Sequence, residues 1–216
     1  MAEASGGAWH SSGTNRGGLP VNTRTSPGPP RDVRLQLTPV NLSLATLGLA
    51  AAEWGGRLAG DSTVTAGPLD ETAHLLTTLL VISALGRPAC NRFLVPALIS
   101  SVAIDADHIP DRLGIEWLTA GTKRPYTHSL LTLAVVLVVA LVWRRRGSVL
   151  VGIALGLTIH FWRDLAQPDS GVPLLWPYRT HSFSLPYASY LAPLVAVVVI
   201  DACRLRFRRA PTATHN

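Results

Sequence analysis

From Leu37 onward the chain alternates long apolar runs with short polar interruptions. Six runs stand out, at about 37–54, 71–86, 93–108, 127–143, 148–162 and 186–203, with Gly, Pro or Arg in the connections between them. Runs of this length and spacing predict helices. The stretches Leu130–Trp143 and Val149–Ile159 contain no charged residue, so lipid or protein must surround them. A helix crossing a bilayer needs about 20 apolar residues and about 17 at the low end. The shorter runs must therefore extend into their polar flanks or lie in a thin, protein-covered region. The first run, which holds Pro39 and Asn41 and is rich in Ala, is the least span-like. The expected fold is all-α: a polytopic transmembrane helical bundle of about five to six spans over residues 37–204. A Gly-, Ser-, Pro- and Arg-rich tail, residues 1–36, precedes it and is expected to be disordered, with no early apolar run resembling a signal peptide. A basic tail, residues 205–216, follows.

Composition changes this picture little: 48% of the 216 residues are hydrophobic and 15% are charged. The net charge of +6 is arginine-driven, 18 of the 19 basic residues being Arg. They cluster at the ends of apolar runs, as in Arg144-Arg145-Arg146 and Arg204, Arg206, Arg208 and Arg209. No soluble domain interleaves them with aromatic residues, so the charge reads as membrane topology and no nucleic-acid partner is expected. Cys90 and Cys203 form neither a CxxC pair nor a disulfide framework.

If all six runs cross and the N-terminus is cytoplasmic, 13 basic residues fall on the inner side and 6 on the outer side. That asymmetry predicts cytoplasmic N- and C-termini in the plasma (inner) membrane. The same topology brings His74, Asp105, Asp107, His108, Arg124, His128, His160, Asp164 and His181 to the outer ends of the spans. The arginine distribution did not require that coincidence.

The densest chemistry lies in Ala103-Ile-Asp-Ala-Asp-His-Ile-Pro-Asp111. Three acids and a histidine follow an apolar run within seven residues. Carboxylates with neutral imidazole suit Zn, Mn or Fe, and acids at membrane depth persist chiefly when paired, ligating or lining a wet cavity. A polar helix cap through Asp107 or Asp111 is the plainer alternative, although a cap needs one acid and no histidine. In Leu157-Thr-Ile-His-Phe-Trp-Arg-Asp164, the i, i+4 spacing sets His160 and Asp164 on one helical face, as ligands to one ion or as a hydrogen-bonded pair. Lys123-Arg-Pro-Tyr-Thr-His-Ser129 places Arg124 and His128 at the start of the fourth run. Arg124 suits a phosphate or carboxylate, or an interfacial anchor. His74, in Asp70-Glu-Thr-Ala-His74, reads by itself as an interfacial residue, and Gly171–Tyr178 as a tight aromatic loop.

Taken in order, His74, Asp105-x-Asp107-His108, Arg124-x-x-Thr127-His128-Ser129, His160-x-x-x-Asp164 and Gly171-x-x-Leu174-Leu175-x-Pro177 resemble the YdjM-like family of inner-membrane, metal-dependent hydrolases. The resemblance covers about residues 70–200. It implies His74, Asp105, Asp107, His108, His128, His160 and Asp164 as ligands or catalytic groups, with Lys123-Arg124-Pro125 standing where the family usually has His-Arg-Gly.

The function expected from these readings is a membrane-bound hydrolase. Its His/Asp cluster would hold a divalent ion, zinc foremost and manganese or iron as alternatives, to activate water. Asp105, Asp107, Arg124 and His128 are the expected catalytic groups, and a lipid-borne ester or phosphodiester is the expected substrate. An ion or proton transporter uses the same residue types but spreads them through several depths. A scaffold working through its basic tails accounts for the tails and not for the cluster.

Overall fold

The computed structural model describes residues 38–60, 62–119, 122, 124–167 and 171–209. The chain divides into two units, Met1–Asp32 and Val33–Asn216, and everything below concerns the second. The expected N-terminal tail, Lys123 and the end of the C-terminal tail lie outside the described residues.

Among the described residues there are six long α-helices and one single-turn α-helix: α1 (Pro39–Ala59), α2 (Thr63–Ala84), α3 (Arg87–Ala103), α4 (His108–Arg112), α5 (Leu130–Val142), α6 (Gly147–Leu165) and α7 (Ala188–Arg209). Among the described residues there is no strand. One isolated antiparallel bridge joins Val172 and Phe183. Each apolar run of the sequence lies on one of the long helices, with shifted ends. Pro39 does not weaken α1. It occupies the first turn, where its missing N–H costs nothing, and the Thr38 hydroxyl accepts from Asn41 N at 3.1 Å to cap the helix. Conversely, Thr127, His128 and Ser129 stay outside α5, which is only 13 residues long. The last helix continues to Arg209, past the residue 204 boundary.

Among the described residues fewer helices than the five to six expected have the length and composition of a span. By length and composition three helical stretches can cross a membrane: Arg87–Arg112, Arg144–Leu165 and Ala188–Phe207. The shorter apolar Leu130–Val142 adds a fourth hydrophobic helix. Helices α1 and α2 are long enough but too polar, since α1 carries Glu53 and Arg57 and α2 carries Asp70, Glu71, His74 and a series of threonines.

Helix α6 is the centre of the arrangement, packed between α3 and α5 and touching α2. Half of its apolar stretch is buried in protein, against 22% for Arg87–Arg112 and 17% for Ala188–Phe207, whose remaining surface is apolar and open. The α3–α6 approach is close because α6 presents Gly152 and Gly156 one turn apart. A Cβ on Gly152 would lie 2.5 Å from Pro96 Cγ and 3.0 Å from Phe93 O, and one on Gly156 would strike Ala97 O and Ser100 Oγ. Small residues four apart let two backbones meet in this way where hydrophobic burial does little to drive helices together. Ser100 Oγ donates across the seam to Ile153 O at 3.1 Å. The second layer is α1 against α2 and α7, where Leu42, Ala45, Leu49 and Ala52 form a helical stripe facing Leu80, Tyr190 and Leu194.

Gly156→Ala should lower stability by about 1–3 kcal/mol, the usual cost of forcing atoms into a filled core. Gly56→Ala, where an added Cβ meets nothing within 4 Å, should be neutral or stabilising. Thermal unfolding of the detergent-solubilised protein measures both, and equal midpoints for the two variants would refute the close-packing account.

Candidate metal centre

Four segments converge on the buried end of α6. Helix α2 brings His74, and the segment after α3 brings Asp105, Asp107 and His108. The loop before α5 brings Arg124 and His128, and α6 itself brings His160 and Asp164. After Ala103 the backbone tightens into a 3-10 turn over Ile104–Asp107 before α4. In that geometry residues three apart eclipse one another, so Asp105 lies over His108, with Oδ1 and Nε2 3.5 Å apart. The capping alternative for this segment is not realised. Asp107 makes no side-chain cap, and Asp111 Oδ1 accepts from Thr119 Oγ1 at 2.7 Å.

The loop carrying His128 is held from two sides. Thr127 Oγ1 donates to Asp107 Oδ2, and Leu130 N donates to Leu174 O at 3.0 Å. Trp176 stacks on Tyr126 with centroids 4.6 Å apart. The aromatic segment around Gly171–Tyr178 thus fastens the loop that bears a histidine of the centre.

His74, His128, His160 and Asp164 are fully buried, at 1% exposure or less, whereas the Asp105, Asp107 and His108 side chains keep 11%, 12% and 22%. The centre therefore has a closed floor and a partly open mouth. On the floor, His128 Nε2 lies 3.2 Å from both His160 Nε2 and Asp105 Oδ1. His160 Nε2 lies 3.5 Å from Asp105 Oδ1 and 3.0 Å from Asp164 Oδ2, and His128 Nε2 lies 3.7 Å from that same oxygen. Tetrahedral donors about 2.0–2.2 Å from a zinc ion are separated from one another by about 3.3–3.6 Å. Five of the six separations among the donors of Asp105, His128, His160 and Asp164 lie between 3.0 and 3.7 Å, around that range.

Tautomers favour the same reading. His160 Nδ1 donates to Ser101 O at 2.7 Å, which leaves the Nε2 lone pair facing the cluster. His128 Nδ1 lies 3.3 Å from Asp107 Oδ2, a carboxylate placed to orient the ring. Among the described residues, Asp107 Oδ1, Asp164 Oδ1, His74 Nδ1 and His128 Nδ1 are buried without a hydrogen-bond partner. They are different atoms from the four donors that face one another at 3.0–3.7 Å, so the fit to an ion rests on those donors and their spacing. Among the described residues three groupings keep their donor atoms within 4.8 Å of one another: Asp105 with Asp107, His108 and His128; His74 with His160 and Asp164; and Asp70 with His74 and Asp105. The residues fit a divalent ion.

Arg124 is no surface anchor. It is 6% exposed, its Nη1 donates to Asp164 Oδ2 at 2.8 Å, and its Nη2 donates to Gln167 Oε1 at 2.8 Å. His74 stacks on His160 with centroids 3.8 Å apart and lies 3.3 Å from Asp164 Oδ1. Its Nε2 accepts from Arg163 Nη1 at 3.0 Å. His181 is exposed and makes an edge contact with Phe183.

A second ring of residues escaped the sequence reading. Arg163, 6% exposed, donates through Nε to Glu53 Oε1 at 3.0 Å and through Nη1 to Asp70 Oδ1 at 2.6 Å. Glu71, with a buried oxygen lacking a hydrogen-bond partner among the described residues, interacts electrostatically with Asp105, Asp70 and Asp164. One signal was available: a charge such as Arg163 within an apolar helix demands a buried partner. Which acids supply it depends on how α1 and α2 pack.

A family model described as YdjM inner membrane protein matches residues 69–215, a range that contains every residue of the centre. No curated protein and no solved structure matches the chain.

Arg124→Met should destabilise the protein by about 3–5 kcal/mol, because it strands a fully buried carboxylate. Adding Asp164→Asn should recover part of that loss. Unfolding midpoints with a chelator present test the pair, and an unchanged midpoint for Arg124→Met would show that it does not hold the floor together.

Proposed function

The chain belongs to the YdjM inner membrane protein family, and from that premise and the geometry of the centre we propose that it is a metal-dependent hydrolase acting on a lipid-borne ester or phosphodiester. The observation that carries the reading is the set of three buried donors, from His128, His160 and Asp164, facing a fourth from the part-buried Asp105 beneath a partly open mouth. Two imidazoles with two carboxylates suit zinc, and manganese or iron would accept the same donors at higher coordination. The ion supplies Lewis acidity and brings deprotonation of water within reach of neutral pH.

The protein's own groups divide the remaining work. Asp107 orients His128 through one oxygen, and its other oxygen takes the proton of the attacking water. Arg124 keeps Asp164 ionised and in place, and its charge counters negative charge developing on the substrate. His74 braces His160 by stacking, and Arg163 fixes His74. His108, at the mouth, meets the substrate as it enters, or joins Asp105 and Asp107 around a second ion. Lipid is the proposed partner because the centre lies at the end of a span-length helix.

The same helix supports a sidedness. Arg144–Arg146 are exposed at the start of α6 and the centre lies at its other end, about 27 Å away by helical rise. That distance approaches the ~30 Å hydrocarbon thickness. With Arg204 and Arg206 exposed near the end of α7, the arginine-bearing ends are assigned to the cytoplasm. The chain then crosses the inner membrane several times, with both termini inside and the centre at the outer face.

Detergent-purified protein should carry about one zinc per chain. His160→Ala and His128→Ala should each lose most of that metal, together with activity on a panel of lipid phosphoesters and esters. Wild-type protein with no stoichiometric metal, or variants with undiminished metal and turnover, would remove the hydrolase reading. Green fluorescent protein fused to the C-terminus should fluoresce, whereas a periplasmic alkaline phosphatase signal from the same position would reverse the topology.

A further inference from the structure

A second feature lies outside the metal centre, on the other side of Arg163. Between α1 and α7, against Leu80 of α2, runs a cavity of about 400 Å³. Leu49, Leu191, Leu194, Val195 and Val198 make its walls apolar, and Glu53, Arg57 and Tyr187 give it one polar end. Its length follows from the helix that lines it, because Thr46 to Arg57 rises about 16 Å. Half of a ~30 Å hydrocarbon core is about 15 Å, so the groove is one leaflet deep. A single flexible hydrocarbon chain fits.

The polar end specifies what that chain should carry. Tyr187 Oη donates to Glu53 Oε2 at 3.4 Å, and Glu53 Oε1 is engaged by Arg163 at 3.0 Å. The guanidinium of Arg57 lies 4.7 Å from the Tyr187 ring centroid. Among the described residues no carboxylate forms an ion pair with Arg57, which is exposed at the mouth. An apolar slot ending in an exposed cation complements a lipid with an anionic head.

We propose that the α1–α7 groove binds one acyl chain of an anionic phospholipid, with its phosphate at Arg57. The α1 wall falls outside residues 69–215, so family membership does not supply this site. The inference deepens the hydrolase reading by naming the substrate class. Glu53 at the groove's end touches Arg163, Arg163 touches His74, and His74 touches Asp164, so two side chains separate the polar end of the groove from the centre.

The test uses the full chain in detergent micelles and reads Trp54, which lines the groove, as the fluorescence difference between wild type and Trp54→Phe. Phosphatidylglycerol with brominated acyl chains should quench that signal saturably, at lower concentration than brominated phosphatidylcholine. Arg57→Gln should reduce the preference about fivefold, the effect of roughly one basic residue near an anionic lipid. Ala50→Phe combined with Val195→Phe should fill the slot and abolish saturable quenching with zinc content unchanged. Equal, non-saturating quenching by both lipids, unaffected by Arg57→Gln, would mean ordinary surrounding lipid and overturn the proposal. Should the filled variant not fold, the exposed Arg57→Gln still decides. Saturable binding by protein without metal or turnover would keep the groove and discard the hydrolase; turnover without saturable binding would do the reverse.

Discussion

Asp164 is a carboxylate with no exposure to solvent, and most of the centre can be understood as the means of keeping it there. An isolated charge so placed would cost several kcal/mol. Arg124 balances it directly at 2.8 Å, while His160, His74 and His128 surround it at 3.0, 3.3 and 3.7 Å. These partners come from three other places in the chain: α2, the loop before α5, and the preceding turn of α6. A single buried charge thus ties together α2, α6 and the loop before α5. It also explains why the loop around Arg124 is pinned by the Gly171–Tyr178 segment, since a mobile guanidinium would leave Asp164 uncompensated.

Apolar packing sets the stage for that interaction. Gly152 and Gly156 let α6 approach the backbone of α3, and only then does the end of α3 deliver Asp105 to the imidazoles of His128 and His160. A side chain at either glycine would push the helices apart by more than the few tenths of an ångström that separate a hydrogen-bonding or ligating distance from none. The 3-10 turn at Ile104–Asp107 completes the delivery by rotating Asp105 over His108.

Around this centre the charges are layered. The inner layer of Asp105, His128, His160 and Asp164 is backed by a second layer in which Arg163 collects Glu53, Asp70 and His74. The second layer makes α1 part of the same electrostatic unit, although the family match begins after it. It also joins the polar centre to the apolar groove through Arg163 and Glu53.

Much of this was legible in the sequence for a definite reason. Helix formation and membrane residence follow from local composition, which is why every apolar run lies on a helix. The i, i+4 spacing of His160 and Asp164 follows from helical geometry alone. The density of acids after Ala103 marked the ligand-bearing segment without any knowledge of packing. Other features depended on which faces meet. Arg124 by itself reads as an interfacial anchor before an anion site, until Asp164 is found 2.8 Å away. Arg163, Glu53, Asp70 and Glu71 could not be grouped because their partners lie on different helices. Five to six spans were expected where composition supports fewer, because α1 and α2 are apolar enough to form helices yet carry Glu53, Arg57, Asp70 and Glu71. The local pattern therefore determined which segments are helical and which residues carry chemistry. The tertiary structure decided which of those residues share one centre, because buried charges choose partners across space and not along the chain.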